Sequence, residues 1–495
     1  MYGILVASVA SLFLISYFII LPVVNYFRDP KGFRRYPALN AIAGFTDLGF
    51  MWEAQKGFRS KTLYEMHKKH PVIRIGPNSL SYGDVHAIKD IYGHSTKCTK
   101  DVFYEKLAGT HFHLADVVDK PEHARKRKVL SSAYALKNLE GWEHKRPDPK
   151  DLTFDYRAWT NFFTLDAIAD IGLSERLGFL DQGSDRVLGE TMDGKLHYVN
   201  YRECLHSTAR AQSSIVWAYD WYKVNEKLTR LFSSRFRHFW HLNEGWNDIV
   251  YRRAKQRLAR YEAGEKLDDF FQVLMEDKNG TPNNLEWGEI VAEVSIMLNA
   301  GSDTTAIAMN NVMFWLLRNP ACLARLREEV DSVLDPAEVV APYDKVKHLP
   351  YLRACLDESL RITPPTTFGL PGYIPGNTSV SISAYVAHRD PSVFPDPERY
   401  DPDRWLQPNS KDMQPYFVAF SAGARGCIGR NISYLEQTVL LASVVHRYEF
   451  ALPHPGWEPE LWESMNCGAK TMPLKVWRRD LGAGVAAEAE KVEVA

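Results

Sequence analysis

The chain has 495 residues, of which 45% are hydrophobic, so it is long enough to bury an extensive core. Lysine and arginine total 60 against 61 aspartate and glutamate, and this near balance argues against nucleic acid as a partner. The six cysteines include no CxxC pair, which argues against a disulfide framework and a zinc ribbon. Any bond from a cysteine to a metal would therefore use one thiolate.

The chain opens with an uncharged apolar segment. Residues 1–27 carry no charged side chain, and about 20 apolar residues are enough to cross a bilayer as a helix. Basic residues follow this segment instead of preceding it, which predicts an uncleaved transmembrane anchor over 1–27 with the following body in the cytosol. Prolines at positions 30 and 37 break regular structure, so we expect a proline-rich hinge and linker over 28–59.

The remainder is predicted to be one mostly helical body with a minor β component, over residues 60–480. Strand-like runs are short and occur at Pro71–Ile75 and Thr378–Ala384. The small and charged residues of 481–495 predict a disordered tail.

Two cationic side chains, His123 and Arg127, lie four residues apart in a charged segment. At helical spacing they share one face, and together they could hold an anionic group such as a carboxylate. A solvated surface pair is the alternative on the residues alone.

A long helix is predicted to follow Pro282-Asn283-Asn284, where Asn283 and Glu286 have the spacing of a capping box, and to end at Arg318, before Asn319-Pro320. Its middle reads Ala-Gly-Ser-Asp-Thr-Thr over 300–305. Glycine and hydroxyl residues lower helix stability, so this segment indicates either a local groove or a tolerated polar kink.

Two further groupings follow the long helix. Glu358 and Arg361 are three residues apart, so they can pair on one helix face. The proline-rich stretch 394–405 excludes a helix and predicts a fixed meander, in which Arg399 is a further candidate partner for Glu358.

The stretch 420–430, FSAGARGCIGR, sets Cys427 among glycines and arginines. A helix is predicted to follow, and its N-terminal field and backbone N–H groups favour a thiolate over a thiol. The residues leave two interpretations open, a small apolar side chain in a turn or a thiolate held for a metal.

Taken in order, these motifs resemble those of the cytochrome P450 family. The loop matches the haem-binding signature FxxGxRxCxG of that family at Phe420, Gly423, Arg425, Cys427 and Gly429. Residues 300–305 match its oxygen-activation motif, Glu358 and Arg361 its ExxR motif, and 397–400 its PERF-type motif. The anchor and hinge are similar to those of microsomal, fungal-type members. The resemblance implies the cytochrome P450 fold, preceded by a single N-terminal transmembrane helix.

The resemblance also implies a cofactor, haem b, with Cys427 as the axial ligand of its iron. The residues expected to bind or flank the haem are Cys427, Arg425, Phe420, Gly423, Gly429, His123, Arg127, Ala300 and Gly301. Among these, the three cationic side chains are expected at the propionates, and Ala300 and Gly301 are expected to leave space over the iron.

Two residues are implied to be catalytic. Thr304 is expected to donate a hydrogen bond to bound dioxygen, and Asp303 is expected to help to relay protons. Glu358, Arg361 and Arg399 are expected to form a structural triad behind the haem.

The implied activity is that of a haem-thiolate monooxygenase that inserts one oxygen atom into an apolar substrate, an aromatic compound or a secondary metabolite. Electrons would come from NADPH through a separate cytochrome reductase, with cytochrome b5 as a second candidate partner. The chain itself contains no GxGxxG nucleotide-binding motif. We expect a monomer in the endoplasmic reticulum membrane, single-pass, with its catalytic domain facing the cytosol.

Two stretches depart from the family pattern. The hairpin after Gly372 is shortened, and Gly372 itself stands where a propionate-binding arginine is common. Residues 145–150 leave little room for an expected helix. These gaps suggest errors in the assembly of the coding sequence and leave an inactive haem-binding protein as one alternative. A haem-thiolate isomerase or dehydratase without external electrons is the other, although the Asp303-Thr304 pair argues against it.

Overall fold

The computed structural model describes residues 12, 14–93, 96–107, 111–130, 153–374 and 378–481. Much of the predicted anchor, the shortened stretch at 145–150 and the predicted tail beyond residue 481 lie outside these residues. Across the described ranges, no helix is long and apolar enough to cross a membrane.

Helices dominate the described chain, as the sequence predicted. A π-helical turn, Ser16–Ile20, leads into the first α-helix. The α-helices are α1 (Leu21–Arg28), α2 (Leu48–Gln55), α3 (Arg59–His67), α4 (Ala87–Tyr92), α5 (Phe103–Leu107), α6 (Lys120–Leu130), α7 (Tyr156–Leu173), α8 (Phe179–Gln182), α9 (Tyr201–Ile215), α10 (Tyr222–Phe232), α11 (Ser234–Glu262), α12 (Phe270–Met275), α13 (Trp287–Arg318), α14 (Pro320–Asp331), α15 (Tyr343–Val346), α16 (Pro350–Ile362), α17 (Ala384–Ala387), α18 (Ser410–Met413) and α19 (Arg430–Arg447).

Within the described residues, the strands are short and form four small sheets. They are β1 (Val72–Gly76), β2 (Ser79–Tyr82), β3 (Thr99–Lys100), β4 (Thr153–Asp155), β5 (Arg186–Glu190), β6 (Leu196–Asn200), β7 (Gly372–Ile374), β8 (Thr378–Ile382), β9 (Tyr448–Ala451), β10 (Leu461–Glu463), β11 (Cys467–Ala469) and β12 (Pro473–Arg478). The largest sheet has the order β1-β2-β8-β7-β3, in which only β2 and β8 run parallel. The others have the orders β4-β12-β9, β10-β11 and β5-β6.

The shortened stretch after Gly372 forms part of the largest sheet. Strand β7 pairs antiparallel with β8 on one side and with β3 on the other. Gly372 lies opposite Val380 in one register and opposite Lys100 in the other. The described residues on both sides of the short connection are therefore held by ladder hydrogen bonds.

The segment predicted as a hinge and linker packs against the body. Phe33, Leu39 and Phe50 are buried, and the last two share a core cluster with side chains from residues far along the chain. The backbone of Leu39 donates to the carbonyl of Arg74, and Arg74 in turn donates to Pro37. Apolar side chains within 28–59 are thus part of the packed body, which begins earlier in the chain than the predicted boundary at residue 60.

Helix α13 is the longest element around which the body is built. Its 32 residues correspond to about 48 Å at 1.5 Å per residue. The helix begins after Glu286, which forms a capping box with Glu289, so the box lies three residues later than the predicted one of Asn283 and Glu286. The helix ends before Pro320, the first residue of α14.

Close packing between α13 and α7 depends on two glycines. A Cβ atom at Gly301 would lie 2.7 Å from the side chain of Ile168, and one at Gly172 would lie 2.1 Å from Met297. Each glycine therefore lets a large apolar side chain of the other helix approach its backbone. This contact fixes the position of the 300–305 segment.

Candidate active site

A cavity of about 1720 Å³ is lined both by the middle of α13 and by the loop before α19. Ala300, Gly301, Asp303 and Thr304 contribute from the helix, and Cys427 contributes from the loop. The structure therefore brings together, at one cavity, two motifs that are more than a hundred residues apart in sequence.

The loop from 420 to 429 is held in one shape by its backbone. The N–H of Cys427 donates to the carbonyl of Phe420 at 2.8 Å, and that of Gly426 donates to Gly423 at 3.1 Å. Gly423 has a φ of +65°, and a Cβ there would lie 2.1 Å from the carbonyl oxygen of Tyr92. Only glycine fits at this position, which accounts for one fixed residue of the signature.

Cys427 lies two residues before Gly429, the N-cap of α19, and its side chain is accessible from the cavity. Burial raises the pKa of its thiol, while backbone N–H groups of Gly429 and Arg430 and the charges of Arg127 and Arg430 act to lower it. The helix terminus thus acts in the predicted direction, towards the thiolate, while desolvation by the surrounding protein opposes it. A metal ion coordinated by Cys427 would further favour its thiolate form.

Two of the side chains predicted to bind the propionates, Arg127 and Arg425, connect the loop to the segment 117–127. Arg127 donates to the carbonyls of Ala424 and Gly426, at 3.2 and 3.0 Å. Arg425 donates to the carbonyls of Val117 and Val118, at 3.1 and 3.3 Å. Both arginines line the cavity as well.

His123 and Lys100 line the same part of the cavity and complete a cationic cluster. Burial lowers the pKa of Lys100 to about 7, and the charges of Arg425 and Arg127 add to this effect. Burial followed by the charges of Arg425, Lys100 and Arg127 lowers the pKa of His123 to about 4. At neutral pH His123 is therefore uncharged, and the charge of this cationic cluster comes from Arg127, Arg425 and the protonated fraction of Lys100. An anionic ligand would offset the repulsion among these charges and would favour protonation of Lys100 and His123.

Haem, which the resemblance implies, fits these residues. Its iron accepts one thiolate, which Cys427 can supply from the cavity wall, and its two carboxylates suit the cationic cluster of Lys100, His123, Arg127 and Arg425. Throughout the part of the chain that the structure describes, no group of three or more His, Cys, Asp or Glu side chains could hold a metal ion.

Lys100 was missed by the sequence reasoning. It lies on the two-residue strand β3, directly opposite Gly372, the position at which an arginine was expected. A strand this short carries no periodic signal, so only the register of the sheet brings the two positions together.

Asp303 is buried, and its carboxylate is held by three side chains. Arg157 donates to Oδ1 at 2.6 Å, the Nε2 atom of His206 lies 3.0 Å from Oδ1, and Asn466 donates to Oδ2 at 3.0 Å. Although burial alone would raise the pKa of Asp303, the charges and hydrogen bonds of Arg157 and His206 hold it well below its usual value. The carboxylate is therefore ionised at neutral pH and acts as an acceptor.

The other residues of the 300–305 segment have distinct surroundings. The hydroxyl of Thr304 donates to the carbonyl of Ala300 at 2.8 Å and lines the cavity. The neighbouring hydroxyl of Thr305 is buried and contacts Ser433 of α19 at 3.0 Å. Gly301, expected to leave space over the iron, also accommodates Ile168, so its missing Cβ serves helix packing too.

Behind the loop, Glu358 receives donors on both carboxylate oxygens. Arg361 contributes two hydrogen bonds, of 2.9 and 2.8 Å, and neither side chain of this pair is exposed. Arg404 donates at 3.0 Å, Trp405 donates from its indole at 2.9 Å, and the backbone of Asp401 donates at 2.9 Å. Glu358 is thus the centre of a saturated buried network, which we call the Glu358 hub.

The prediction that Arg399 is the third member of this triad is corrected by the structure. The Arg399 side chain is exposed, and its contribution is a backbone carbonyl that accepts from Arg361 at 3.1 Å. Arg404 provides the meander guanidinium instead, because the turn at Pro402–Leu406 directs it inwards to Glu358. A second Pro-acidic-Arg sequence at 402–404 was the available signal.

His388 connects the hub to the cysteine loop. Its Nε2 atom accepts from the backbone of Val418 at 2.8 Å, and its Nδ1 atom lies 3.0 Å from the carbonyl of Arg361. Burial, with the nearby charge of Arg361, lowers the pKa of His388 to about 3, so the ring is neutral and can accept. No sequence motif indicated this link.

The comparisons with known proteins agree with this geometry. The sequence model of the Cytochrome P450 family matches residues 129–476. The chain is 29% identical over 457 residues to "Benzoate 4-monooxygenase bphA" of Aspergillus niger, which covers 84% of this chain and 87% of that protein. It is 26% identical over 506 residues to "Cytochrome P450 monooxygenase poxM" of Penicillium oxalicum, with coverage of 96% and 95%. The solved "cytochrome P450DA heme domain" has a TM-score of 0.69 at 18% identity, covering 90% of this chain and 98% of that one, which shows a shared fold.

Proposed function

The chain belongs to the cytochrome P450 family and is a monooxygenase of the fungal type, and on that premise we propose that Cys427 holds a haem with which the protein hydroxylates an apolar aromatic substrate. The observation that carries the proposal is that the Cys427 thiol and the Thr304 hydroxyl line one cavity from opposite motifs. The haem, when bound, supplies the binding and activation of dioxygen.

The residues on the cysteine side bind and orient the cofactor. Cys427 would supply the thiolate ligand of the iron, and Lys100, His123, Arg127 and Arg425 would pair with the propionates. Because Arg127 and Arg425 also donate to backbone carbonyls around the loop, the same guanidinium groups fix the loop and bind the cofactor. The Glu358 hub acts at a distance by holding the meander and, through His388, the entry to the loop.

The residues on the α13 side handle protons. The Thr304 hydroxyl faces the cavity and can pass a proton to an oxygen bound there. Asp303 is ionised and buried, so we propose that it orients His206, which contacts it and also lines the cavity. Histidine is the side chain best suited to transfer protons near neutral pH.

The overall reaction consumes one substrate, one dioxygen, two electrons and two protons. One oxygen atom enters a C–H bond of the substrate to form an alcohol or phenol, and the other leaves as water. We propose NADPH as the electron source through a separate reductase, with cytochrome b5 as a second donor.

The substrate class rests on the cavity and on one relative. Leu205, Ile296 and Phe368 are among the apolar side chains that line the cavity. A relative that matches most of this chain is named a benzoate 4-monooxygenase. We therefore propose an aromatic substrate of small or moderate size.

We also propose that the N-terminal segment anchors the protein in the endoplasmic reticulum membrane with the catalytic domain in the cytosol. The described side chains before Arg28 are largely exposed and apolar, including Phe27 at 61% exposure. Leu231 and Phe232 at the end of α10 are also exposed, at 64% and 78%. Tyr17 and Phe18 contact Trp221, the residue directly before α10.

The test is incorporation of isotopically labelled dioxygen into product. Full-length protein is incubated in membranes with a cytochrome reductase, NADPH and a panel of small aromatic compounds. The proposal predicts one labelled atom per product, with no product when NADPH or the reductase is omitted. Unlabelled product formed without NADPH would instead support an isomerase or dehydratase, and absence of turnover across the panel would support the inactive alternative.

A further inference from the structure

The cavity wall beside Asp303 carries more cationic than anionic groups. Asp303 already accepts from Arg157, His206 and Asn466, so its acceptor positions are largely used. One further cation, Arg210, lines the cavity on the same side.

Arg210 is placed by helix α9. It follows His206 by four residues, so the two side chains share a face, one helical turn or about 5.4 Å apart along the axis. Because His206 contacts Asp303, Arg210 lies about one helical turn from Asp303, which directly precedes Thr304 in the chain.

The guanidinium of Arg210 has no partner within the part of the chain that the structure describes. Burial lowers its pKa, the positive charge of Arg235 adds to this effect, and Asp303 opposes it only in part. Other carboxylates that line the cavity have partners of their own: Glu226 pairs with Arg230 at 3.3 Å, and Glu293 pairs with Lys126 at 3.6 Å.

A half-buried arginine that faces a cavity and lacks an anion is suited to bind one from a ligand. Its planar fork accepts a carboxylate through two parallel hydrogen bonds. Around it, Leu205 and Ala209 of the same helix contribute apolar surface to the cavity. The arrangement selects a ligand with one carboxylate and an apolar body.

We propose that Arg210 is the carboxylate anchor of the substrate site, and that the protein binds aryl carboxylic acids with the carboxylate on Arg210 and the ring towards Ala300 and Thr304. This proposal rests on the proposed function and names its substrate class. It also implies that the oxygen atom enters the substrate at the end remote from its carboxylate.

The test measures binding without turnover. Equilibrium dialysis of the full-length holoenzyme uses two matched pairs of labelled probes, benzoate with benzamide and cinnamate with cinnamamide. Within each pair, size is constant and only the charge differs. The proteins are the wild type, R210Q, and R235Q, a control that removes the same charge from an exposed position.

The proposal predicts that wild type and R235Q bind at least one acid more tightly than its amide, and that R210Q loses about tenfold or more in affinity for that acid only. Unchanged affinity of R210Q for the amide shows that the variant is folded. Equal binding of acid and amide by wild type, no binding of either, an equal loss in R235Q, or a loss of both probes in R210Q would overturn the proposal. The carbon monoxide difference spectrum of the same samples reports separately on the haem thiolate, so failure of the proposed function is distinguishable.

Discussion

Two polar networks flank the cavity, and they differ in how many of their donors and acceptors have a hydrogen-bond partner within the protein. Behind Cys427, Glu358 receives Arg361, Arg404, Trp405 and a backbone N–H, and the pair Glu358–Arg361 is fully enclosed. On the α13 side, the Asp303 carboxylate lines the cavity and contacts Arg157 and His206, and Arg210 lines the cavity without a partner among the described residues.

The difference separates a structural network from one available to ligands. A buried charge network stabilises a unique arrangement when each group is satisfied, and breaking one pair leaves a buried charge without compensation. An incompletely satisfied network next to a cavity retains donors for a ligand. We therefore expect substitutions behind the cysteine to reduce folding stability most, and substitutions facing the cavity to act more on binding.

The largest effect on stability is expected when the Glu358 hub is broken. The substitution R404A should lower the free energy of unfolding by about 3–5 kcal/mol, because it leaves the buried Glu358 partly uncompensated. The matched control R399A should change it by less than about 0.5 kcal/mol, because that side chain is exposed. Urea unfolding of the two variants measures both values. If R399A were the more damaging substitution, the assignment of the hub arginine would be wrong.

A smaller, pH-dependent effect is expected at Asp303. D303N should destabilise the protein by about 1.5–3 kcal/mol at pH 7, because Arg157 and His206 lose a charged acceptor. The folded-state pKa of Asp303 lies well below its usual value of 3.8. The stabilisation that its carboxylate provides is therefore fully present above about pH 4, and it is lost as the pH falls through the folded-state pKa. The difference between wild type and D303N should therefore shrink on acidification below about pH 4.

Urea unfolding between pH 3 and pH 7 follows this difference, with D268N as a control at an exposed aspartate. A D303N variant that matches wild type at pH 7 would contradict the account of this carboxylate. So would a difference that stays constant to the lowest pH.

The smallest effect is expected at Lys100, which makes one contribution among four to the cationic cluster. K100M should release haem about tenfold faster, which is the loss of a single charge-assisted hydrogen bond. Transfer of haem to apomyoglobin measures the rate. K97M, a substitution at an exposed lysine near the same strand, should release haem at the wild-type rate. Equal rates for K100M and wild type would remove Lys100 from the cluster.

The sequence predicted one wall better than the other for a physical reason. The loop at 420–429 and the Glu358–Arg361 pair are local, so their spacing alone reveals them. The error at Arg399 also has a local cause, since two Pro-acidic-Arg sequences follow each other and only the folded turn decides which guanidinium points inwards.

The network around Asp303 has no local signature. Arg157 comes from α7, His206 from α9 and Asn466 from the turn between β10 and β11, so tertiary packing alone joins them. The same holds for Lys100 and Gly372, which are neighbours through sheet register. The overall mostly helical class and the course of α13 were predictable, because a long proline-free run with helix-ending residues at Asn319-Pro320 is visible in the sequence.

Ligation of the haem iron by the Cys427 thiolate can be measured through the carbon monoxide difference spectrum of the reduced protein. We expect the wild type to show the red-shifted Soret band of a thiolate-ligated haem. In C427S, which replaces the thiol by a hydroxyl of similar shape, it predicts loss of that band. A wild-type protein that binds haem without this band, or a C427S variant that retains it, would contradict the account.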